Sequence, residues 1–326
     1  MSWHRIQTLE RNAMVRRTDL SRPTYLPAIL MVGVVVVAGA VLYRSRVTAR
    51  PWDIASFDGK RAFDDLQRLV KFGPRSPGSE ALEQTRQYIG RELTADGIDV
   101  YEDPFVASTP AGNIPMKNLM GIVPGQSSEV IAIAGHYDTA RLDGVQFVGA
   151  NDGGSSTAFL LEMARVLIKR KNPLTYWLMF FDGEEALQQW SARDSLYGSR
   201  HMADRLDADG RLKRVRAFIL VDMVGDKHLD ILRESHSTLW LSDLVFRSAH
   251  ELGCDAAFSG GTYPVEDDHL PFLEKGVPAV DIIDVTPFKS YHHTAADTVD
   301  QCSAGSLEVI GRVVLATVAA IERSKR

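Results

Sequence analysis

The sequence is poor in cysteine and has no excess of positive charge. Only Cys254 and Cys302 occur among its 326 residues. Two distant cysteines form neither a disulfide scaffold nor a zinc finger, although one bridge or two free thiols remain open. The formal net charge is −5, and no helix-turn-helix or zinc-finger pattern accompanies it. The sequence therefore argues against a disulfide-rich protein and against a nucleic-acid partner.

Long apolar runs are also scarce, and one lies near the N-terminus. Residues 27–43, PAILMVGVVVVAGAVLY, carry no charge and have about the shortest length that spans a bilayer as a helix. Five arginines and only two acids precede them. This bias predicts a cytoplasmic segment over 1–26, a single-pass anchor over 27–43 and an exported remainder, periplasmic or extracellular. The alternative is secretion after signal cleavage, because small residues occupy 38–40.

After a linker over 44–58, residues 59–326 are predicted to form one α/β domain. Short apolar runs at 130–134, 175–181, 217–221 and 279–283 indicate buried strands. Helical patterns at 61–72, 80–96 and 155–169 precede or separate them. Such alternation predicts a mostly parallel central sheet with helices on both faces. In sheets of this kind the ligand crevice lies beyond the carboxyl ends of the strands.

Acids and histidines follow several of these predicted strands. The stretch LMFFDGEEALQQW ends a strand in two adjacent glutamates, Glu184 and Glu185. Zinc prefers imidazole and carboxylate ligands, which other loops supply. If Glu185 binds a metal, Glu184 is left beside it as a general base. The alternative for the glutamate pair is that it begins a helix and stabilises its dipole. The remaining candidate ligands are His136, Asp152, Asp222 and His293.

Five motifs in order, GHYDT, GANDGGSS, FFDGEEA, LVDMVGD and HHTAADT, resemble the zinc-dependent aminopeptidase superfamily. Two further segments, WSARDSLYGSRHMA at 190–203 and EDDHLPFLEKGVPAVDII at 266–283, are similar to its glutaminyl cyclases. These glutaminyl-peptide cyclotransferases convert the N-terminal glutamine of peptides and proteins into pyroglutamate and release ammonia. Together the motifs are far more specific than any one of them alone.

The resemblance implies a zinc aminopeptidase-like fold, one catalytic zinc and peptide or protein N-termini as substrates. It places the zinc on Asp152, Glu185 and His293. It implies that Glu184 moves the proton and that Asp222 and Asp267 form an acidic pair beside it. The pocket residues that it implies are Trp190 and Phe288, with His292 in the wall where cyclases usually carry tryptophan.

Two other functions remain as alternatives. A two-zinc aminopeptidase would use the same residues, with Asp152 as the bridging ligand, so the ligand set alone does not decide. A membrane-anchored binding module without activity would have lost a ligand or the base, and none is lost. We expect the cyclase, because its distinguishing segments lie outside the shared metal core. In the aminopeptidase, the other ligands would divide into His136 with Asp222, and Glu185 with His293.

Overall fold

A computed structural model of the chain describes residues 57–285 and 289–324. The predicted segments 1–26 and 27–43, nearly all of the linker 44–58, and Phe288 lie outside the described residues. The anchor, the exported location and the pocket role of Phe288 therefore stay predictions.

Seven α-helices occur in the described part of the chain. The helices predicted at 61–72, 80–96 and 155–169 are confirmed, with ends shifted by a few residues. Side-chain caps explain two of the starting points, since Asp58 accepts the Arg61 N–H and Ser79 accepts the Leu82 N–H. The helices are α1 Gly59–Leu69, α2 Glu80–Ala95, α3 Ser156–Ile168, α4 Tyr197–Ala208, α5 Leu239–Glu251, α6 Leu270–Glu274 and α7 Ala304–Arg323.

The strands of the described residues form one six-stranded sheet and one short pair. They are β1 Asp99–Thr109, β2 Gly112–Val123, β3 Val130–His136, β4 Thr175–Phe181, β5 Val215–Asp222, β6 Arg233–Glu234, β7 Thr262–Tyr263 and β8 Ala279–Ile283. The large sheet has the order β1-β2-β4-β3-β5-β8, and the short pair is β6-β7.

The prediction of parallel strands is correct for four neighbours in the sheet, β4, β3, β5 and β8. The sheet as a whole is mixed, because β1 and β2 form a hairpin that joins β4 antiparallel. No apolar run in the sequence predicts this hairpin. Its first strand alternates between buried and exposed residues and contains proline, whereas β3 and β4 are buried at every position. Continuous apolar runs therefore revealed the four parallel strands but not the antiparallel hairpin.

Helices cover both faces of the sheet, as predicted. Alternate residues of β3 point to opposite sides, because the side-chain period of a strand is two. Ile131 and Ile133 pack in a core cluster with residues of α1, α2, α3, α5 and α7. Ala132 and Ala134 pack in a second cluster with residues of α4 and α6. The sheet is thus a rigid support whose strand ends are fixed from both sides.

Helix α7 is, among the described helices, long and apolar enough to cross a membrane by length and composition alone. In its most apolar window 61% of the residues are buried within the protein. Gly311 lies against Phe57, and a Cβ added there would come within 2.2 Å of the phenyl ring. Close packing of this kind identifies α7 as a core helix.

The two cysteines do not form a bridge. Cys254 follows α5 and Cys302 precedes α7, and both are buried free thiols. Of the two possibilities left by the sequence, the structure has the unpaired one.

Candidate active site

The carboxyl ends of the parallel strands bring the predicted site residues together. His136 is the last residue of β3, Asp222 is the last residue of β5, and Glu184 follows β4 by a short turn. Asp152 lies in the turn before α3, and His293 lies in the loop after β8. Parallel strands end at one edge of a sheet, and the structure brings these five side chains together there.

A cavity of about 390 Å³ opens at this edge, a size typical of small-ligand pockets. One wall is apolar, formed by Met223, Tyr263, Pro264, Val265, Ile283 and Val285. His136 lies beneath the cavity, in contact with two of the lining carboxylates. The predicted site residues that line the cavity are Asp152, Glu184, Glu185, Trp190, Asp222, Asp267, His292 and His293, with Glu266 beside them.

Asp152 joins two sets of donor atoms through its two oxygens. Its Oδ1 lies 3.2 Å from His136 Nε2, and that nitrogen lies 3.1 Å from Asp222 Oδ1. We call this set the inner donor group. Asp152 Oδ2 lies 3.3 Å from His293 Nε2, which is 3.1 Å from Glu185 Oε1. Glu185, His293 and the neighbouring His292 form, with Asp152 Oδ2, the outer donor group.

These residues fit a zinc ion by chemistry and by spacing. Two ligands about 2.0–2.1 Å from a tetrahedral zinc lie roughly 3.3–3.4 Å apart, close to the separations in the outer group. Asp152 Oδ2 is buried and has no hydrogen-bond partner in the described part of the chain. Donor atoms within 4.8 Å of one another occur in both groups, in the sets Asp152, His292, His293 and His136, Asp152, Asp222.

Asp138 positions the glutamate pair. Its Oδ1 accepts the Glu184 N–H at 3.1 Å and its Oδ2 accepts the Glu185 N–H at 3.3 Å. The chain from these glutamates to the start of α4 is a loop without α-helix. The interpretation of the two acids as the start of a helix is therefore wrong. The loop backbone is bound instead by carboxylates, and a second one, Asp194, accepts the N–H groups of Leu187, Gln188 and Gln189.

The turn that carries Asp152 is held by buried charges on both sides. Asp297 accepts the N–H groups of Asn151 at 2.8 Å and Asp152 at 3.1 Å. The Arg75 guanidinium is fully buried and donates to the carbonyls of Tyr137, Val148, Gly149 and Asp152. Gly153 has φ +73, and a Cβ there would lie 2.3 Å from the Asp138 carbonyl oxygen. Only glycine fits this position without displacing the turn.

Two site loops contain non-glycine residues in the left-handed region. His293 has φ 51, and Met223, which follows Asp222, has φ 50. Such conformations cost free energy and persist where surrounding contacts hold them. The His293 ring packs edge-on against Phe147, with 5.5 Å between ring centroids. The strain therefore coincides with one predicted site residue, His293, and with the neighbour of another, Asp222.

Burial shapes the protonation of the acids in the cavity. It raises the pKa of Glu184 well above its usual range, and the carboxylates of Glu185 and Asp267 act in the same direction against the opposing His136. Burial and Asp152 raise the pKa of Glu185 to about 7. Burial, then Asp222 and Asp268, raise the pKa of Asp267 well above its usual range. A bound cation would favour the ionised forms, and ionised Glu184 would be able to accept a proton.

Three residues that support the site, Asp138, Asp297 and Arg75, were not among its predicted members. Asp138 carried a usable signal, because it follows β3 directly and lies two residues after His136. Asp297 lies in the same motif as His293, yet only the structure shows that its carboxylate accepts two N–H groups of the Asp152 turn. Arg75, in a turn far from any strand end, had no signal of this kind.

The chain is similar in sequence and in fold to known peptidases and glutaminyl cyclases. The model of peptidase family M28 matches residues 118–318. A glutaminyl-peptide cyclotransferase-like protein of Bos taurus is 33% identical over 274 residues, covering 75% of this chain and 71% of the relative. The crystal structure of an Acidobacteriales bacterium glutaminyl cyclase superimposes with TM-score 0.78 at 41% identity, covering 82% of this chain and 95% of that one.

The same fold also occurs in a protein described as a peptidase. A leucine aminopeptidase precursor from Bacteroides thetaiotaomicron has TM-score 0.74 at 26% identity, covering 83% of this chain and 98% of that one. Fold alone therefore does not separate cyclase from peptidase, but the closer sequence likeness is to the cyclases. The chain belongs to peptidase family M28 and, within it, to the glutaminyl-peptide cyclotransferase family.

Proposed function

We propose that this protein is a zinc-dependent glutaminyl-peptide cyclotransferase that converts the N-terminal glutamine of peptides and proteins into pyroglutamate. One observation carries the proposal beyond family membership. A zinc-type donor set lies in the cavity beside Glu184, a buried carboxylate outside that set, and apolar side chains face them across a space of about 390 Å³. This arrangement suits a reaction in which one small side chain is folded and a proton is moved.

Asp152, Glu185 and His293 would hold a zinc ion, and the bound ion would supply a Lewis acid for the γ-carboxamide carbonyl of the substrate. Glu184 accepts a proton from the substrate α-amine as the α-nitrogen bonds to the γ-carboxamide carbon. The bond from that carbon to the amide nitrogen then breaks. Glu184 returns the proton to the departing ammonia. No water is consumed, and the proton that Glu184 takes up is the one that it releases.

The cavity walls favour attack by the α-amine over attack by water. Trp190 lies at the rim with 38% of its surface exposed, and its indole Nε1 donates to Glu266 Oε2 at 3.1 Å. This bond orients the ring along the edge of the cavity. Val265 and Ile283 present apolar surface to the methylene groups of a glutamine side chain. Packing of these groups excludes water and brings amine and amide of one residue together.

The two-zinc aminopeptidase is the second candidate, because one observation favours it. The inner donor group, His136 and Asp222 with Asp152 Oδ1, offers a second set of ligand atoms within 4.8 Å. A carboxylate that bridges two ions is a common feature of two-metal hydrolases. Each set would then hold one zinc ion, and the cavity would accept a peptide for hydrolysis.

A substrate assay separates the two functions. The purified full chain, loaded with zinc, is offered a glutamine-initiated dipeptide and a leucine-initiated dipeptide in parallel. We expect release of ammonia and formation of a pyroglutamyl dipeptide from the first, with the second unchanged. Free leucine or free glutamine would contradict the cyclase and support the peptidase. Zinc measured per chain in the same preparation tells whether one ion or two accompany the activity.

A further inference from the structure

Tyr291 lies on the loop after β8, just before the two adjacent histidines of the site. Its side chain is buried, and its hydroxyl donates to Asp226 Oδ2 while it accepts from Asn151 Nδ2 at 3.0 Å. A phenolic hydroxyl can donate and accept at once, so one group satisfies both partners. Asn151 directly precedes Asp152, and Tyr291 lies close to His293 in the chain. The hydroxyl therefore links two segments that carry predicted zinc ligands.

The partners of Tyr291 are themselves held in place. Asn151 Oδ1 accepts the Gly225 N–H at 2.8 Å, and a Cβ added at Gly225 would lie 3.1 Å from that oxygen. The Asp226 carbonyl accepts from the Ser306 hydroxyl of α7 at 2.6 Å. Three segments therefore meet at one buried hydroxyl, namely the turn before α3, the chain after β5 and the loop after β8.

His293 needs support from its surroundings, because its backbone has φ 51, a conformation that costs free energy in a non-glycine residue. The Tyr291 carbonyl accepts from the Thr294 N–H at 3.1 Å and from the Thr294 hydroxyl at 2.7 Å. These bonds close a turn around His293, so the place of its ring depends on where Tyr291 is held. His293 Nε2 lies 3.3 Å from Asp152 Oδ2, close to the roughly 3.3–3.4 Å between two ligands of one tetrahedral zinc.

We propose that Tyr291 is a positioning residue for the zinc site. Its hydroxyl fixes the loop of His293 against the turn of Asp152, and it acts through Asn151 and Asp226. Removal of the hydroxyl leaves two buried polar groups without this partner, which is unfavourable, and the two ligand segments lose their link. Partners that orient metal ligands typically contribute roughly 10–100-fold to metal affinity. The inference rests on the proposed function for its zinc ion and not for its substrate.

The test compares the loss of two buried tyrosine hydroxyls in the full chain. Tyr176→Phe is the matched control, because buried Tyr176 also donates to a carboxylate, that of Glu322 at 2.6 Å, but lies at the end of β4 remote from Glu184. Competition with a chelator gives zinc affinity, and the visible absorption of Co²⁺ bound in place of zinc reports ligand geometry. We expect Tyr291→Phe to bind zinc about tenfold more weakly with a changed Co²⁺ spectrum. Tyr176→Phe should keep both native values.

A second variant breaks the same link from its other end. Asn151→Ala removes the amide that donates to Tyr291, together with the oxygen that accepts from Gly225. It should lower zinc affinity at least as much as Tyr291→Phe does. The double variant should bind zinc about as tightly as Asn151→Ala alone, because both changes break one link. Losses that multiply in the double variant would show that Tyr291 does not act through Asn151 and would overturn the inference.

Thermal unfolding of the zinc-free proteins checks that each variant is folded, and Asn151→Ala takes the place of Tyr291→Phe in the comparison if the latter does not fold. Native zinc affinity or a native Co²⁺ spectrum in Tyr291→Phe overturns the inference. An equal loss in Tyr176→Phe, or a native protein that binds no zinc, overturns it too. Zinc binding by the native protein without pyroglutamate formation would refute the proposed substrate and leave the positioning role. Cyclisation together with native zinc affinity in Tyr291→Phe would refute the positioning role alone.

Discussion

The inner and outer donor groups share Asp152, but they differ in the elements that carry their side chains and in their exposure to solvent. The inner group is built on strand ends, and its side chains are nearly closed to solvent, with 2% of His136 and 11% of Asp222 exposed. Asp222 Oδ1 also accepts the Met223 N–H at 2.7 Å. The outer histidines lie on a loop and face the cavity, with 23% of His292 and 35% of His293 exposed.

The difference indicates separate tasks for the two groups. Inner side chains are bonded to one another, so they are suited to orienting Asp152. A side chain that bonds to a metal ligand without touching the ion fixes the direction of that ligand and tunes its basicity. The outer group lines the cavity, and its buried oxygen on Asp152 has no hydrogen-bond partner among the described residues. We therefore expect the ion used in cyclisation to be bound by the outer group.

In both donor groups, protons compete with a metal ion for the ligand atoms. Burial alone would lower the pKa of His136, but Asp222 and the other neighbouring carboxylates raise it well above the usual value. Burial likewise opposes ionisation of His293, while Asp152 and Glu185 raise its pKa to about 10. A protonated imidazole has no free lone pair for zinc, so metal binding must release protons.

The largest expected effect comes from Glu184, whose Oε2 lies 4.0 Å from His136 Nδ1 and whose neighbour Glu185 belongs to the outer group. Glu184→Gln keeps the shape of the side chain but removes the proton acceptor. We expect kcat to fall by roughly 10²–10⁴-fold, the usual contribution of a positioned base. Zinc content, measured by elemental analysis, should stay at the native value. A variant with native kcat would show that another group moves the proton.

A matched pair of variants tests whether the two groups differ as ligands. His293→Ala should reduce zinc affinity by more than the roughly 10–100-fold that loss of a side chain bonded only to a ligand costs. His136→Ala should stay within that range, because it orients Asp152 without binding the ion. Competition with a chelator gives both values. Equal losses, together with two zinc ions per native chain, would favour the two-zinc site and contradict the distinction drawn between the groups.

A smaller effect is expected on the free energy of unfolding as pH changes. Burial raises the pKa of Glu185, Asp268 and Asp297 to about 7. These acids therefore hold protons in the folded chain that the unfolded chain has released, so stability present at acidic pH is lost as pH rises toward 7. His293, with a pKa of about 10, adds to this loss above its unfolded value of about 6.5.

After chelation we expect the melting temperature to be lower at pH 8 than at pH 5, by about 5 °C or more. Zinc should reduce or reverse this trend, because its affinity rises as its ligands lose protons. Calorimetry with and without zinc measures both. Asp268→Asn should weaken the pH dependence, while Asp64→Asn, which alters an exposed acid on α1, should not. A chelated native protein equally stable at both pH values would contradict the protonation described for the site.

The sequence alone determined the class of chemistry and the edge of the sheet where it occurs. The run 175–181 is apolar after Thr175 and buried at every position, as expected of a strand that is covered on both faces. The carboxyl ends of parallel strands lie at one edge of a sheet. The pattern of residues alone therefore predicts that the acids and histidines after such runs share one site. The types of these residues predicted the metal, because carboxylate and imidazole ligands together are typical of zinc.

Only the tertiary structure shows how those residues divide into two donor groups and which contacts hold them in place. The opposite oxygens of Asp152 separate an inner from an outer donor group, and Asp297 binds the Asp152 turn from 145 residues away in the chain. Nor does local sequence show that a loop follows β4 or that the hairpin β1–β2 completes the sheet. Loop paths depend on distant contacts, such as the buried Arg75 with its carbonyl partners, and local propensity contains no record of those contacts.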